Sequence, residues 1–378
     1  MSQRSFAYIN PEMLKLAREQ SGFSLREAAG GDISPDKLEK AERGETQLTF
    51  KQFLKIARRY KRPPAYFYLK EPFKEDIIHD FRTLESKNVK FSPLLRDTIL
   101  IIKEKRELAV KYQKYDKEYD YSYIKSIHIG LAIDEVANRI MELLDLHLIK
   151  RKKWKTEYDA YNAWKGAVEN IGILVFQISK ISINEMRGFS ISEIPYPTIV
   201  LNRKDSPLGR IFTLIHEVCH LMLKQGGICR ADEKDEKGSK IEYFCNAVAG
   251  SVLVPKEDLL IHVKNHYSNK WEESELKKLK KIFWASNEVI LRRLLIFNKT
   301  NKKIYQQKRN EWKKISGTRG EGGYERVYER VLRTHSQNYV KIVLNAMQEN
   351  YITFHDTSFY LSMSLKHLDN LRENLKNP

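Results

Sequence analysis

Apolar residues recur along most of this chain at the three-and-four spacing of amphipathic helices, and only briefly in the short continuous runs typical of buried strands. Between residues 9 and 69 the pattern breaks into five short helices. NPEMLKLAREQ opens with Asn10 as a cap and Pro11 at the first helical position, and SLREAAGG follows. SPDKLEKAERGE then runs from a Ser34 cap and Pro35 to a stop at Gly44. In TFKQFLKIARRYKRP the residues Phe50, Phe53, Leu54, Ile56 and Ala57 make one apolar stripe. Residues 71–92 keep no lasting period and read as a linker. Helical spacing returns from 93 to 150, through the exposed run EKRELAVKYQKYDKEYDYSYIK and the helix AIDEVANRIMELLDL. YNAWKGAVENIGILV reads as a helix entering an apolar strand, and PTIVLN as a second strand. RIFTLIHEVCHLML is a helix, GGICRADEKDEKGSK a polar loop, and IEYFCNAVAGSVLVP a helix stopped at Pro255. The remainder is helical, broken by ISGTRGEGGYE at 315–325, and no internal repeat occurs. The predicted class is α+β, mostly α. A helix-turn-helix bundle is expected at 6–70, a linker and helical scaffold at 71–160, a core with a small sheet at 161–265, and a helical carboxy-terminal region at 266–378.

At 378 residues the chain is longer than one core usually serves, so two or three domains are expected. A hydrophobic content of 42% with 11% aromatics excludes a disordered protein. The stretch MSQRSFAYINPEMLKLAREQ has no long apolar segment, and runs such as LLIFN at 294–298 fall far short of a span, so neither a secretory signal nor a membrane partner is expected. The three cysteines, Cys219, Cys229 and Cys245, form no CxxC pair and do not suit a disulfide framework, which points to a reducing cytoplasm. Net charge changes the picture most: 67 Lys+Arg against 49 Asp+Glu leaves +18. Residues 264–319 hold 16 basic and 5 acidic residues, and residues 1–70 hold 14 and 8, so the excess is clustered and a polyanionic partner is expected.

HEVCH sets two histidines and a glutamate in an otherwise greasy helix. Residues four apart lie on one helical face, so His216 and His220 can aim their imidazoles at a single ion. Zinc favours neutral imidazole nitrogen, and catalytic zinc takes three protein ligands. Glu217 is one residue on, beside the ion, where a base takes a proton from the attacking water. The plainer alternative is a pair of core histidines satisfied by backbone acceptors. A third ligand is expected from a neighbouring helix, and the helix from Ile241 offers Glu242 as its one carboxylate before Glu257. Glu242 could otherwise serve only as a helix-terminal charge. Asn246, one turn on, could steady Glu242 or the substrate, or be an ordinary polar residue. Cys219 and Cys245 could ligate as thiolates but read better as small buried residues. Tyr243 and His262 are candidates for stabilising an oxyanion.

The blocks AWKGAVENIGILVFQ, MRGFS, PTIVLN, FTLIHEVCHLML and EYFCNAVAGSVLVP resemble the ImmA/IrrE metallopeptidase family, a zincin group that cleaves repressor proteins. The resemblance implies Zn2+ at His216, His220 and Glu242, with Glu217 as general base, and makes 161–265 a zincin-like metallopeptidase core. FSLREAAGGDISPDKLEKAERGE with its flanking helices resembles the XRE family of helix-turn-helix regulators, and fusion of the two looks like an arrangement of this family. That resemblance implies contacts to double-stranded DNA from Ser34, Lys37, Lys40 and Arg43. Asp36 and Glu39 depart from it, placing negative charge on the helix that should face DNA, so a protein-docking role remains the alternative. The expected function is a cytoplasmic zinc-dependent regulatory endopeptidase acting on a repressor or other regulatory protein, coupled to a DNA-binding domain. XRE-like domains often pair on palindromes, so a homodimer is a further expectation. The rivals are a DNA-binding regulator whose zincin domain senses or scaffolds, and a phage-defence or toxin-antitoxin component that acts by binding.

Overall fold

A computed structural model describes residues 5–60, 62, 64–69, 92–113, 118–224, 228–229, 240–264, 270–315 and 325–376. The linker expected at 71–92 lies outside them except for Ser92, as do most of the polar loop before residue 240 and of the break at 315–325. The fold is α+β and mostly α, and it divides into two compact units, residues 1–103 and 104–378.

In the first unit, β1 (Phe6–Ala7) pairs antiparallel with β2 (Leu48–Thr49). Four helices follow the expected signals: α1 (Pro11–Gln20), α2 (Leu25–Ala29), α3 (Pro35–Glu42) and α4 (Phe50–Arg59), and a 3-10 turn at Pro64–Tyr68 completes the set. Asn10, Ser24, Ser34 and Thr49 each cap a helix by accepting a backbone N–H, as short polar side chains do where the first turn lacks acceptors. Met13, Leu14, Leu38, Phe53, Ile56 and Phe67 form the core. The buried stripe of α4 runs Phe53, Ile56, Ala57 and Tyr60, while Phe50 at the helix start is 44% exposed and Leu54 is half-buried. Glu42 is buried and held by both Nε and Nη2 of Arg18, at 2.7 and 2.9 Å.

The second unit is built around a sheet ordered β3 (Leu174–Ile178), β5 (Thr198–Asn202), β4 (Gly188–Ile191), β6 (Ile228–Cys229). β3 runs parallel to β5, and β4 pairs antiparallel with both β5 and β6. Strands β4 and β5 are buried at every position, which is why TIVLN is a continuous apolar run rather than an alternating one. Ahead of the sheet come α5 (Pro93–Lys111), α6 (Ile133–Leu144), α7 (Leu148–Arg151) and α8 (Glu157–Asn170). Helix α5 stops well short of the run predicted to reach Lys125, because Tyr119, Tyr121 and Tyr123 alternate with polar residues and pack against one another as tilted rings instead. After the sheet come α9 (Pro207–Met222), α10 (Lys240–Leu253), α11 (Lys256–His262), α12 (Glu273–Phe283), α13 (Asn287–Ile296), α14 (Lys302–Ile315), α15 (Val327–Thr334), α16 (Gln337–Gln348), α17 (Phe354–Tyr360) and α18 (Leu368–Lys376).

Two arginines inside this unit fasten the carboxy-terminal end of α10. Arg151 is fully buried, donates to the carbonyls of Val252 and Leu253 at 2.8 Å each, and lies over the Trp164 ring. Arg293 donates to the Val254 carbonyl at 3.0 Å and to Ser251 Oγ at 3.2 Å. Both put positive charge where the helix dipole is negative.

A second polar cluster ties the sheet to the last helices. Lys105 Nζ donates to His335 Nε2 at 2.7 Å and faces the rings of Phe176 and Tyr339. His335 Nδ1 lies 3.2 Å from the Val331 carbonyl, which assigns the proton to Nδ1 and leaves Nε2 as acceptor. Burial lowers Lys105 to about 8, and burial together with the Lys105 charge pushes His335 well below its ordinary range. A histidine neutral in the fold but protonated when unfolded supports stability above its unfolded pKa, and that support is lost as pH falls below about 6.5. Urea unfolding between pH 6 and 5 should therefore show wild type losing about 1 kcal/mol more than His335→Gln, which keeps an acceptor for Lys105 but does not titrate. Equal losses would mean that His335 is charged in the folded protein.

Candidate active site

Helix α9 begins at a Ser206 cap with Pro207 in its first turn. Residues 213–222 are all buried, since the helix packs on α8, α10 and strands β4 and β5 and has no solvent face in that stretch. Polar side chains there must find partners inside. His216 and His220 are 0% and 4% exposed, and their Nε2 atoms stand 3.0 Å apart. From the first turn of α10, Glu242 places Oε2 3.2 Å from His216 Nε2 and Oε1 3.1 Å from His220 Nε2. The one-turn spacing on α9 and the packing of α10 across it thus bring all three proposed ligands together.

This group fits a metal ion on its own chemistry. Two imidazole nitrogens and two carboxylate oxygens converge within hydrogen-bonding distance, and only a proton or a cation can satisfy acceptors so arranged. Burial would lower His220, but the hydrogen bond to Glu242 and the charges of Glu217 and Glu242 outweigh it and raise it to about 9. Burial would raise Glu242, yet its bonds to both histidines hold it well below the carboxylate range. A His, His, Glu set is a common donor set for catalytic zinc.

Glu217 points elsewhere on the same helix. It is fully buried, and Ser190 on β4 donates to its Oε2 at 2.7 Å, while Oε1 has no hydrogen-bond partner among the described residues. Burial, the largest influence, raises its pKa against the pull of both histidines and the Ser190 bond. Strand β4 can come this near because residue 188 is glycine. A Cβ there would meet Thr213 Cγ2 at 2.6 Å and the Val200 carbonyl at 3.0 Å, with Glu217 Oε1 at 3.5 Å. Gly188 and Ser190 were not singled out in the sequence, although both fall within or beside the MRGFS block.

Among the described residues, neither cysteine joins this ligand group. Cys219 and Cys245 are buried free thiols hydrogen-bonded to each other. Asn246 is half-buried one turn beyond Glu242. Tyr243 is 54% exposed, and His262 is an exposed residue packed edge-on against Phe283. On α3 in the first unit, the Ser34 hydroxyl accepts from the Lys37 backbone, Lys37 Nζ donates to Gln52, Lys40 pairs with Asp36 at 3.0 Å, and Arg43 pairs with Glu39.

A buried HExxH helix that meets a carboxylate from the next helix, beside a small mixed sheet, is the arrangement expected of a zincin-like metal site. Consistent with that class, residues 168–295, about a third of the chain, match the Peptidase_M78 family model, described as the IrrE N-terminal-like domain. No curated protein matches the chain. Among the described residues, no helix is long and apolar enough to cross a membrane.

Proposed function

We propose that this protein is a zinc-dependent endopeptidase that cleaves a repressor or another regulatory protein in the cytoplasm. His216, His220 and Glu242 would hold the zinc, whose chemistry is to polarise the scissile carbonyl and make water acidic. Glu217 is the general base: its unpartnered Oε1 is free to take a proton, while Ser190 holds Oε2 and fixes the carboxyl plane. The raised pKa of Glu217 suits that work, because a carboxyl group nearer neutrality can both accept a proton and return it to the leaving amine. The strongest support is the convergence of three ligand groups from two helices beside a buried, half-engaged carboxylate.

The amino-terminal helices would carry the peptidase to double-stranded DNA, with Ser34, Lys37, Lys40 and Arg43 as contacts and pairing of two chains on a palindrome. Each of the three basic groups there already has a partner on its own unit, which favours, as a second reading, a surface that docks the protein substrate. Zinc-loaded protein incubated with a candidate repressor should yield a discrete fragment that a chelator suppresses. A repressor left intact under those conditions, but retained on the immobilised protein, would replace proteolysis with binding.

A further inference from the structure

The basic excess of residues 264–319 is uneven once side chains are placed. Lys280 pairs with Glu157 at 2.6 Å, Lys308 with Glu273 at 3.3 Å and Arg309 with Glu288 at 2.9 Å, and Arg293 is buried. Lys277, Lys278 and Lys281 are exposed and have no carboxylate partner among the described residues. They share the outward face of α12 with exposed Ser274, opposite the buried Leu276, Leu279 and Phe283. The contrast with α3 is direct: there each basic group must leave an existing partner before it can meet a phosphate, whereas on α12 none has to.

The chemistry of that face narrows its partner. A membrane-surface helix needs apolar side chains beside its lysines, and here the apolar side chains of α12 are turned into the core. Protein interfaces are depleted in lysine and centred on aromatic or arginine anchors, and this face has neither. Lysine ammonium groups are donors used on phosphate oxygens, and the Ser274 hydroxyl, which donates to Glu272 Oε2 at 3.4 Å, is not counted among them. Lys277 and Lys281 are one turn apart, about 6 Å along the helix, a length over which one DNA strand presents about two phosphates. We propose that the outward face of α12 is a sequence-independent phosphate-backbone contact for duplex DNA, formed by Lys277, Lys278 and Lys281 and separate from the amino-terminal helices.

The test is anisotropy of a labelled duplex of random sequence with the full chain, titrated between about 50 and 200 mM salt. The triple change Lys277→Gln, Lys278→Gln, Lys281→Gln should lower the slope of log K against log salt by about 2 to 3 and weaken low-salt binding about tenfold or more. Lys180→Gln, Lys204→Gln, Lys341→Gln, at exposed lysines on other elements, removes the same charge and should lose clearly less, which separates a local contact from net charge. The Arg triple at 277, 278 and 281 should keep binding, and far-UV circular dichroism of all variants should match. The proposal is overturned if wild type does not bind the duplex, if the α12 variant keeps wild-type affinity and slope, if the two triple variants lose equally, or if the α12 change abolishes binding to phosphatidylserine vesicles but not to DNA.

Discussion

Glu217→Gln is expected to lower cleavage by a factor of about 100 to 10,000 while leaving the fold and the metal content intact. The amide oxygen can still accept the hydrogen bond from Ser190, so the side chain keeps its place against β4. What it cannot do is take a proton. The exchange also removes a carboxylate from a fully buried position, so thermal stability should hold or rise. Cleavage rate, zinc per chain and melting temperature, measured side by side, check all three. Undiminished cleavage would place the base elsewhere.

The His216→Ala, His220→Ala double change has the second large effect. It removes two of three ligands from a single face, and the zinc content, expected near one ion per chain, should fall to background. With zinc at about 100 to 1,000 times its dissociation constant, an ion that binds only the folded state contributes roughly 2.7 to 4.1 kcal/mol, which the variant should lose. The effect should also depend on pH: His220 with its pKa near 9 must give up a proton to bind, so zinc affinity of wild type should fall as pH is lowered from 8 to 6. Full zinc occupancy in the double variant would dismiss this ligand set.

How far these residues were legible depends on the distance over which each contact is made. The histidine pair and Glu217 could be read because helical periodicity alone sets their relation. Glu242 was legible as the first carboxylate of the next apolar helix. Ser190 was not, because its role depends on β4 lying against α9 across 27 residues, and GFSI is too short and too completely buried to show an alternating pattern. Likewise Ile228–Cys229 read as part of a polar loop, although it pairs with β4. Charge counting treats every basic residue as surface, yet Lys105, Arg151, Lys165, Arg210 and Arg293 are all buried. The helix starts at Asn10 and Ser34 were legible because capping is local chemistry, whereas the capping boxes at Ser24 and Thr49 were not singled out.

The two arginines fastening α10 bear on the timing of synthesis. Glu242 rides on a helix whose far end is secured by Arg293, and 77 residues separate that arginine from His216. At ribosomal rates of about 5 to 20 residues per second, the histidine pair is made roughly 4 to 15 s before its last support. A nascent chain therefore carries the HExxH helix while the helix bearing the third ligand is not yet secured. A site that needs all three groups is therefore complete only when translation has moved well past the motif.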